Sequence, residues 1–182
     1  LAVFKWEKRK AWDVLLRAWH RACSDDAAVL VLVTSAYHSD SAFRDKLEVF
    51  VRENLDVGLD DLCPVRIVSG LPQRDLEALY RAADVLLAPS PGEGWGRPHV
   101  EAMASGTPII ATNWSGPTAY VTELNGYPLK ARDDLVLVGD DGPFKDHRWA
   151  EPDLDHFVQL IKQAIDDPDD RAQRGQRARR DM

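Results

Sequence analysis

The sequence predicts an α/β fold, a doubly wound parallel sheet with helices on both faces, and three observations carry that reading. Short apolar runs rich in leucine or β-branched residues alternate with helical stripes, and each run is short enough to be a strand buried on both faces. Glycine, proline and charge concentrate in the segments that follow the runs, as loops at one edge of such a sheet require. The 182 residues suit a single domain, since cores seldom divide below about 250 residues.

In chain order, Leu1–Phe4, Ala28–Thr34, Val65–Val68, Asp84–Ala88 and Pro108–Thr112 read as strands. Between the first two, Trp12, Leu15, Leu16 and Trp19 recur at i, i+3, i+4 and i+7 and mark one face of a helix. Leu76, Leu79, Tyr80 and Ala83 repeat the stripe before the fourth strand. A Gly/Asp/Pro-rich stretch follows from Gly139 to Pro152. Closing helices are expected from about 153 to 182, interrupted near Pro168, and their arginines, among them Arg171, Arg174 and Arg177, read as a solvated basic face. Leu1–Phe4 begins as a strand already under way, with neither an initiator Met nor a capping loop, so an upstream piece is expected to be missing.

Composition narrows the classes of function. With 45% hydrophobic and 29% charged residues the chain has a soluble globular make-up, and no apolar run approaches the ~18 to 20 residues of a membrane span. A net charge of −7 argues against nucleic acid as the main partner, because phosphate-backbone binding needs a broad basic face. Cys23 and Cys63 are far apart without metal-ligand spacing, and there is no secretory h-region. Both point to a reducing, cytoplasmic compartment.

Ligands of such sheets bind beyond the carboxyl ends of the strands, so the post-strand loops are the candidates. The first of them, Lys5-Trp6-Glu7-Lys8-Arg9-Lys10, lacks the G-x-G-x-x-G fingerprint of dinucleotide folds. Its four cations beside a helix N-terminus could neutralise a diphosphate by side chain; a solvated charged turn fits the same residues. After the fourth strand, Pro89-Ser90-Pro91-Gly92 leads into Glu93-Gly94-Trp95-Gly96-Arg97, with Pro98 where a helix takes its first residue. Gly94 and Gly96 permit a tight turn, and the free N–H groups of the helix start can meet an anion. Glu101, about one turn inside that helix, is suited to the vicinal hydroxyls of a ribose, while Glu93 at the loop tip would face a sugar. Without the glycines and Pro98, a capping Glu and a solvated loop Glu would be the simpler reading. Asn113-Trp114-Ser115-Gly116 arrives at the same edge and could line a sugar pocket, although core packing fits Trp114 at least as well. His99, alone in the motif helix, reads as a packing or surface residue.

On these residues the chain resembles the C-terminal, donor-binding domain of family 4-like (group 1) retaining glycosyltransferases, one Rossmann-like half of a GT-B fold. Their hallmark E-x7-E is matched by Glu93 and Glu101 within EGWGRPHVEAMASGTPIIAT; DLEALYRAADVLLAPS upstream and NGYPL downstream continue the likeness over most of residues 1–129. The resemblance implies transfer of a sugar from a nucleotide diphosphate donor to an acceptor hydroxyl with retention, and no metal or other cofactor. Lys5 and Lys10 would stabilise the departing diphosphate, with Arg9 adding to the donor set. Glu93 would contact the sugar, Glu101 the ribose, and the backbone of Gly94, Trp95, Gly96 and Arg97 the phosphates or sugar. The acceptor is left open, and acceptor binding is implied to belong to an N-terminal domain absent from these residues. Three departures from the family pattern stand out. Lys5 replaces an arginine and loses its bidentate fork, Ala11 replaces a glycine, and Val33-Thr34-Ser35-Ala36 lacks the usual glycines. Two other readings compete: an inactive sugar-nucleotide-binding module, and a flavodoxin-like interaction domain.

Overall fold

The computed structural model describes residues 1–23, 28–35, 43–55, 63–139 and 144–182. Ala36 of the glycine-poor segment and residues 140–143 of the Gly/Asp/Pro-rich stretch lie outside them.

Six strands form two parallel three-stranded sheets, β1 (Ala2–Lys5), β2 (Leu30–Ser35) and β3 (Val65–Val68) in one, β4 (Leu86–Ala88), β5 (Ile109–Thr112) and β6 (Tyr127–Leu129) in the other. The two meet edge to edge where the Leu87 N–H donates to the Leu1 carbonyl at 2.7 Å and the Leu1 nitrogen donates to Val85 at 3.0 Å. The resulting order is β3-β2-β1-β4-β5-β6. The chain starts at the centre, winds outward on one side, and returns to wind outward on the other. Direction therefore reverses between β1 and β4, and the loops leaving their carboxyl ends diverge around a crevice, the place where ligands bind in open α/β sheets.

The central strands bury both faces, β5 along its whole length. Along β5, Ile110 belongs to the core layer that contains Leu15, Leu16 and Trp19 of α1 (Trp12–Ala22), Leu47 and Val51 of α2 (Phe43–Leu55), and Phe157 and Ile161 of α5 (Leu154–Asp166). Its neighbours Ile109 and Ala111 turn to the other layer, with Leu76 and Tyr80 of α3 (Gln73–Ala82), Ala102 and Met103 of α4 (Arg97–Ala104), and Ala178 of α6 (Pro168–Asp181). This parity is the period of two expected of a strand between two helical layers.

Four sequence expectations shift. Helix α4 begins at Arg97, with Pro98 its second residue and Gly96 (φ 79°) as its left-handed cap. Strand β6 was not anticipated, because Pro128 speaks against a strand; β6 is an edge strand, where a missing N–H is tolerated. The interruption near Pro168 is a helix start, with the Asp167 carboxylate accepting from the Asp170 N–H at 2.9 Å. The last helix is not simply a solvated face: Gly175 and Ala178 are buried, and Arg174 lies over the Tyr127 ring and donates to the Gly126 carbonyl at 2.7 Å. β7 (Val136–Leu137), just before the Gly/Asp/Pro-rich stretch, pairs with β8 (Arg148–Trp149) within it as a two-stranded antiparallel ribbon.

Candidate functional site

The loop after β1 is pinned from below and presents its cations above. Trp6 is buried and stacks on Trp12 with ring centroids 4.7 Å apart, which ties the loop to the first turn of α1. Lys8–Lys10 then make one 3-10 turn, and Ala11 (φ 49°) enters α1 from the left-handed region. Ala11 thus keeps the backbone that a glycine would adopt freely, at a cost of roughly 1 kcal/mol.

Across the crevice, the Lys10 ammonium donates to Glu93 Oε1, and Arg9 Nη1 lies 3.8 Å from Glu93 Oε2 while its Nε donates to Glu7 at 2.6 Å. The Ser90 hydroxyl joins the two loops by donating to the Arg9 carbonyl at 2.9 Å. Glu93 is held from behind as well: its carbonyl accepts from Ser115 Oγ at 2.5 Å and from the Gly116 N–H at 3.0 Å. The Tyr120 hydroxyl donates to the Trp95 carbonyl. The Glu93 side chain is only 12% exposed, and burial alone would raise its pKa. The Lys10 charge and hydrogen bond, helped by His99 and Ser90, outweigh that and hold the carboxyl below its ordinary value.

Glu101 is placed separately. Arg97 Nη2 lies 3.3 Å from its Oε1, and the Tyr80 hydroxyl donates to Oε2 at 3.2 Å; burial first, and then Glu101, raise the Tyr80 pKa. A carboxylate offers about four acceptor positions, so these two donors leave room for a pair of hydroxyls. Its side chain is 30% exposed and borders a hollow of about 410 Å³ shared with Arg74, Tyr80, Arg81 and Arg179.

The structure therefore brings Lys10, Arg9 and Glu93 into one cluster and sets Glu101 apart at the next turn of α4. Lys5 lies exposed at the end of β1. Gly94 and Trp95 are exposed, and the Trp95 ring sits 5.1 Å from Tyr120. Trp114 is 42% exposed and is not part of the core.

Sequence reasoning did not place Ser90, Tyr80 or Tyr120 beside this site; His99, read as a packing or surface residue, is buried against it. His99 is 4% exposed, packs against Gly96, and has no hydrogen-bond partner for either ring nitrogen among the described residues. Burial pushes its pKa down to about 4, with Glu93 opposing and Lys10 adding to the fall. Its spacing to Ala102 and Met103, three and four residues on, was the available sign that it faces inward.

A second cavity, of about 630 Å³, lies at the opposite end of the strands and is lined by Leu1, Val31, Pro64, Leu79, Val85 and Ile161 among others. Its lining is mainly apolar and it stands away from the crevice loops, so it is a weaker candidate than the cluster above.

Comparison with known proteins agrees with the fold. Residues 1–167 match the family model described as glycosyl transferases group 1. The D-inositol 3-phosphate glycosyltransferase of Streptosporangium roseum is 35% identical over 129 residues, covering 68% of this chain and 29% of that protein; the chain thus spans less than a third of its length. Among solved structures, the C-terminal domain of a group 1 glycosyl transferase (LpcC) from Francisella tularensis superposes with a TM-score of 0.71 at 22% identity, over 99% of this chain and 82% of that one. HepE of Anabaena, solved in complex with UDP and glucose, gives 0.72 at 19% identity over 98% of this chain and 42% of that one. The fold is the Rossmann-like half of a GT-B protein. The chain belongs to the group 1 glycosyl transferases.

Proposed function

We propose that this chain supplies the donor site of a retaining transferase that moves a hexosyl-type sugar from a nucleoside diphosphate to an acceptor hydroxyl. The observation that carries this reading is the Lys10–Glu93 contact across the crevice between the β1 and β4 loops, at the N-terminal end of α4. In the transfer, the bond from the anomeric carbon to the β-phosphate oxygen breaks, a bond to the acceptor oxygen forms, and the acceptor hydroxyl loses its proton. Negative charge gathers on the departing diphosphate. Lys10, with Arg9 and Lys5, and the backbone N–H groups of Gly94 to Arg97 are the donors that would meet it, without a metal ion. Glu93 would face the sugar and Glu101 the ribose. Acceptor binding is assigned to parts of the enzyme outside these residues, and a cytoplasmic location belongs to the same proposal.

The test is calorimetric titration of the chain with UDP-, GDP- and ADP-sugars, the UDP-sugars first because HepE was solved with UDP. One of the three should bind. Binding of none, by a sample shown to be folded by circular dichroism, would overturn the reading.

A further inference from the structure

We propose that donor binding draws a proton onto His99, which replaces Lys10 as the cation beside Glu93. The inference rests on the donor-site reading above. In the structure Lys10, the nearest cation to Glu93, is engaged by that carboxylate, and Arg9 divides itself between Glu7 and Glu93. A diphosphate that engages Lys10 competes with Glu93 for its ammonium and draws the charge toward the phosphates. Sugar hydroxyls reaching Glu93 are neutral, and Arg9 at 3.8 Å is shared with Glu7, so the nearly enclosed carboxylate loses much of its nearest compensating charge, which is unfavourable.

His99 is placed to answer the loss. It is enclosed and held against Gly96, with both nitrogens unpartnered among the described residues, and it interacts electrostatically with both Glu93 and Lys10. The charged groups that act on it are Glu93 on the β4 loop and Lys10 on the β1 loop, while Arg9 pairs with Glu7 and Glu93. Tyr120 also faces the cluster, with its hydroxyl spent on the Trp95 carbonyl; on α4 itself, Arg97 and Glu101 pair with each other. In the ligand-free chain, burial and Lys10 keep the proton off the imidazole. Moving Lys10 onto the phosphates weakens one of these effects, and the phosphate charge adds a pull in the opposite direction. The proton affinity of His99 rises, so binding takes up a proton and strengthens as pH falls. His99 acts here through Glu93, as a positioning residue.

The experiment is titration of the chain with UDP-glucose, GDP-mannose and ADP-glucose between pH 5.5 and 7.5, in buffers of differing ionisation enthalpy. These diesters have no phosphate ionisation of their own in that range. The binding heat should change with buffer in the sense of proton uptake, and affinity should fall with rising pH by up to about tenfold per unit for a whole proton. Both effects should vanish in His99→Leu. In the unsubstituted chain, the His99 Cε1–Hε1 resonance should move toward the imidazolium position on saturation, a readout that stands even if the variant does not fold. Absence of binding would overturn the donor-site reading itself. Binding with heats that ignore the buffer, uptake that persists in His99→Leu, or an unmoved resonance would each overturn the role of His99 and leave that reading intact.

Discussion

Replacing Glu101 by alanine removes the acceptor assigned to the ribose and leaves the Glu93 cluster in place. Donor affinity should fall by about 1 to 3 kcal/mol, the scale of a lost charged hydrogen bond, as measured by titration. Unchanged affinity would show that Glu101 serves only its pairs with Tyr80 and Arg97. Glu93→Gln should act differently, lowering turnover of the full-length enzyme more than donor affinity, as kcat and KM measured separately would show. At this scale the sequence was informative where chemistry is unusual for a loop: a carboxylate among glycines and four cations in a turn are legible because nothing local requires them. It was uninformative for His99 and Tyr80, whose importance comes from what lies across the crevice or on the neighbouring helix. Lys5 and Lys10 could not be ranked by spacing alone; the 3-10 turn rotates Lys10 onto Glu93 and leaves Lys5 exposed at the strand end.

Two glycines show how elements are fitted around the site. A Cβ at Gly116 would lie 2.2 Å from the Gly94 carbonyl and 2.7 Å from that of Glu93, so Gly116→Ala must push apart the loops that hold Glu93. Donor binding should weaken roughly tenfold, about 1.4 kcal/mol, with the far-ultraviolet spectrum unchanged. At Gly175 a Cβ would meet the Gly106 carbonyl at 2.2 Å. Alanine there improves helix propensity by at most about 1 kcal/mol, against about 1 to 3 kcal/mol for overpacking, so the clash wins and urea unfolding should report a net loss of stability. Strands were read well because burial on both faces leaves a continuous apolar run. Helix α2 went unread although Leu47, Phe50, Val51 and Leu55, which pack in or against the core, follow i, i+3, i+4 and i+8. The closing helix was misjudged for a different reason: its buried face is made of Gly175 and Ala178, which carry almost no hydrophobic signal.

For the whole molecule, the crevice groups tie stability to pH. His99 is neutral and enclosed when folded, with a pKa of about 4 against an ordinary value near 6.5. Its contribution is therefore complete above about pH 6.5 and lost as pH falls toward 4, a total of up to roughly 3 kcal/mol. Glu93, held below its ordinary value, adds a further loss at lower pH, with the same sign. Urea midpoints across this range should decline toward acid, and the decline between pH 6.5 and 4 should be shallower in His99→Leu. The order β3-β2-β1-β4-β5-β6 follows from the alternation of elements only as one of several windings, and the reversal between β1 and β4 is what turns two separate loop motifs into one site. Hydrogen exchange with and without the nucleotide sugar that binds tests that convergence most directly. Amides of residues 5–11 and 93–101 should slow together; protection confined to the cavity around Leu1, Pro64 and Val85, with 93–101 unchanged, would contradict a shared site.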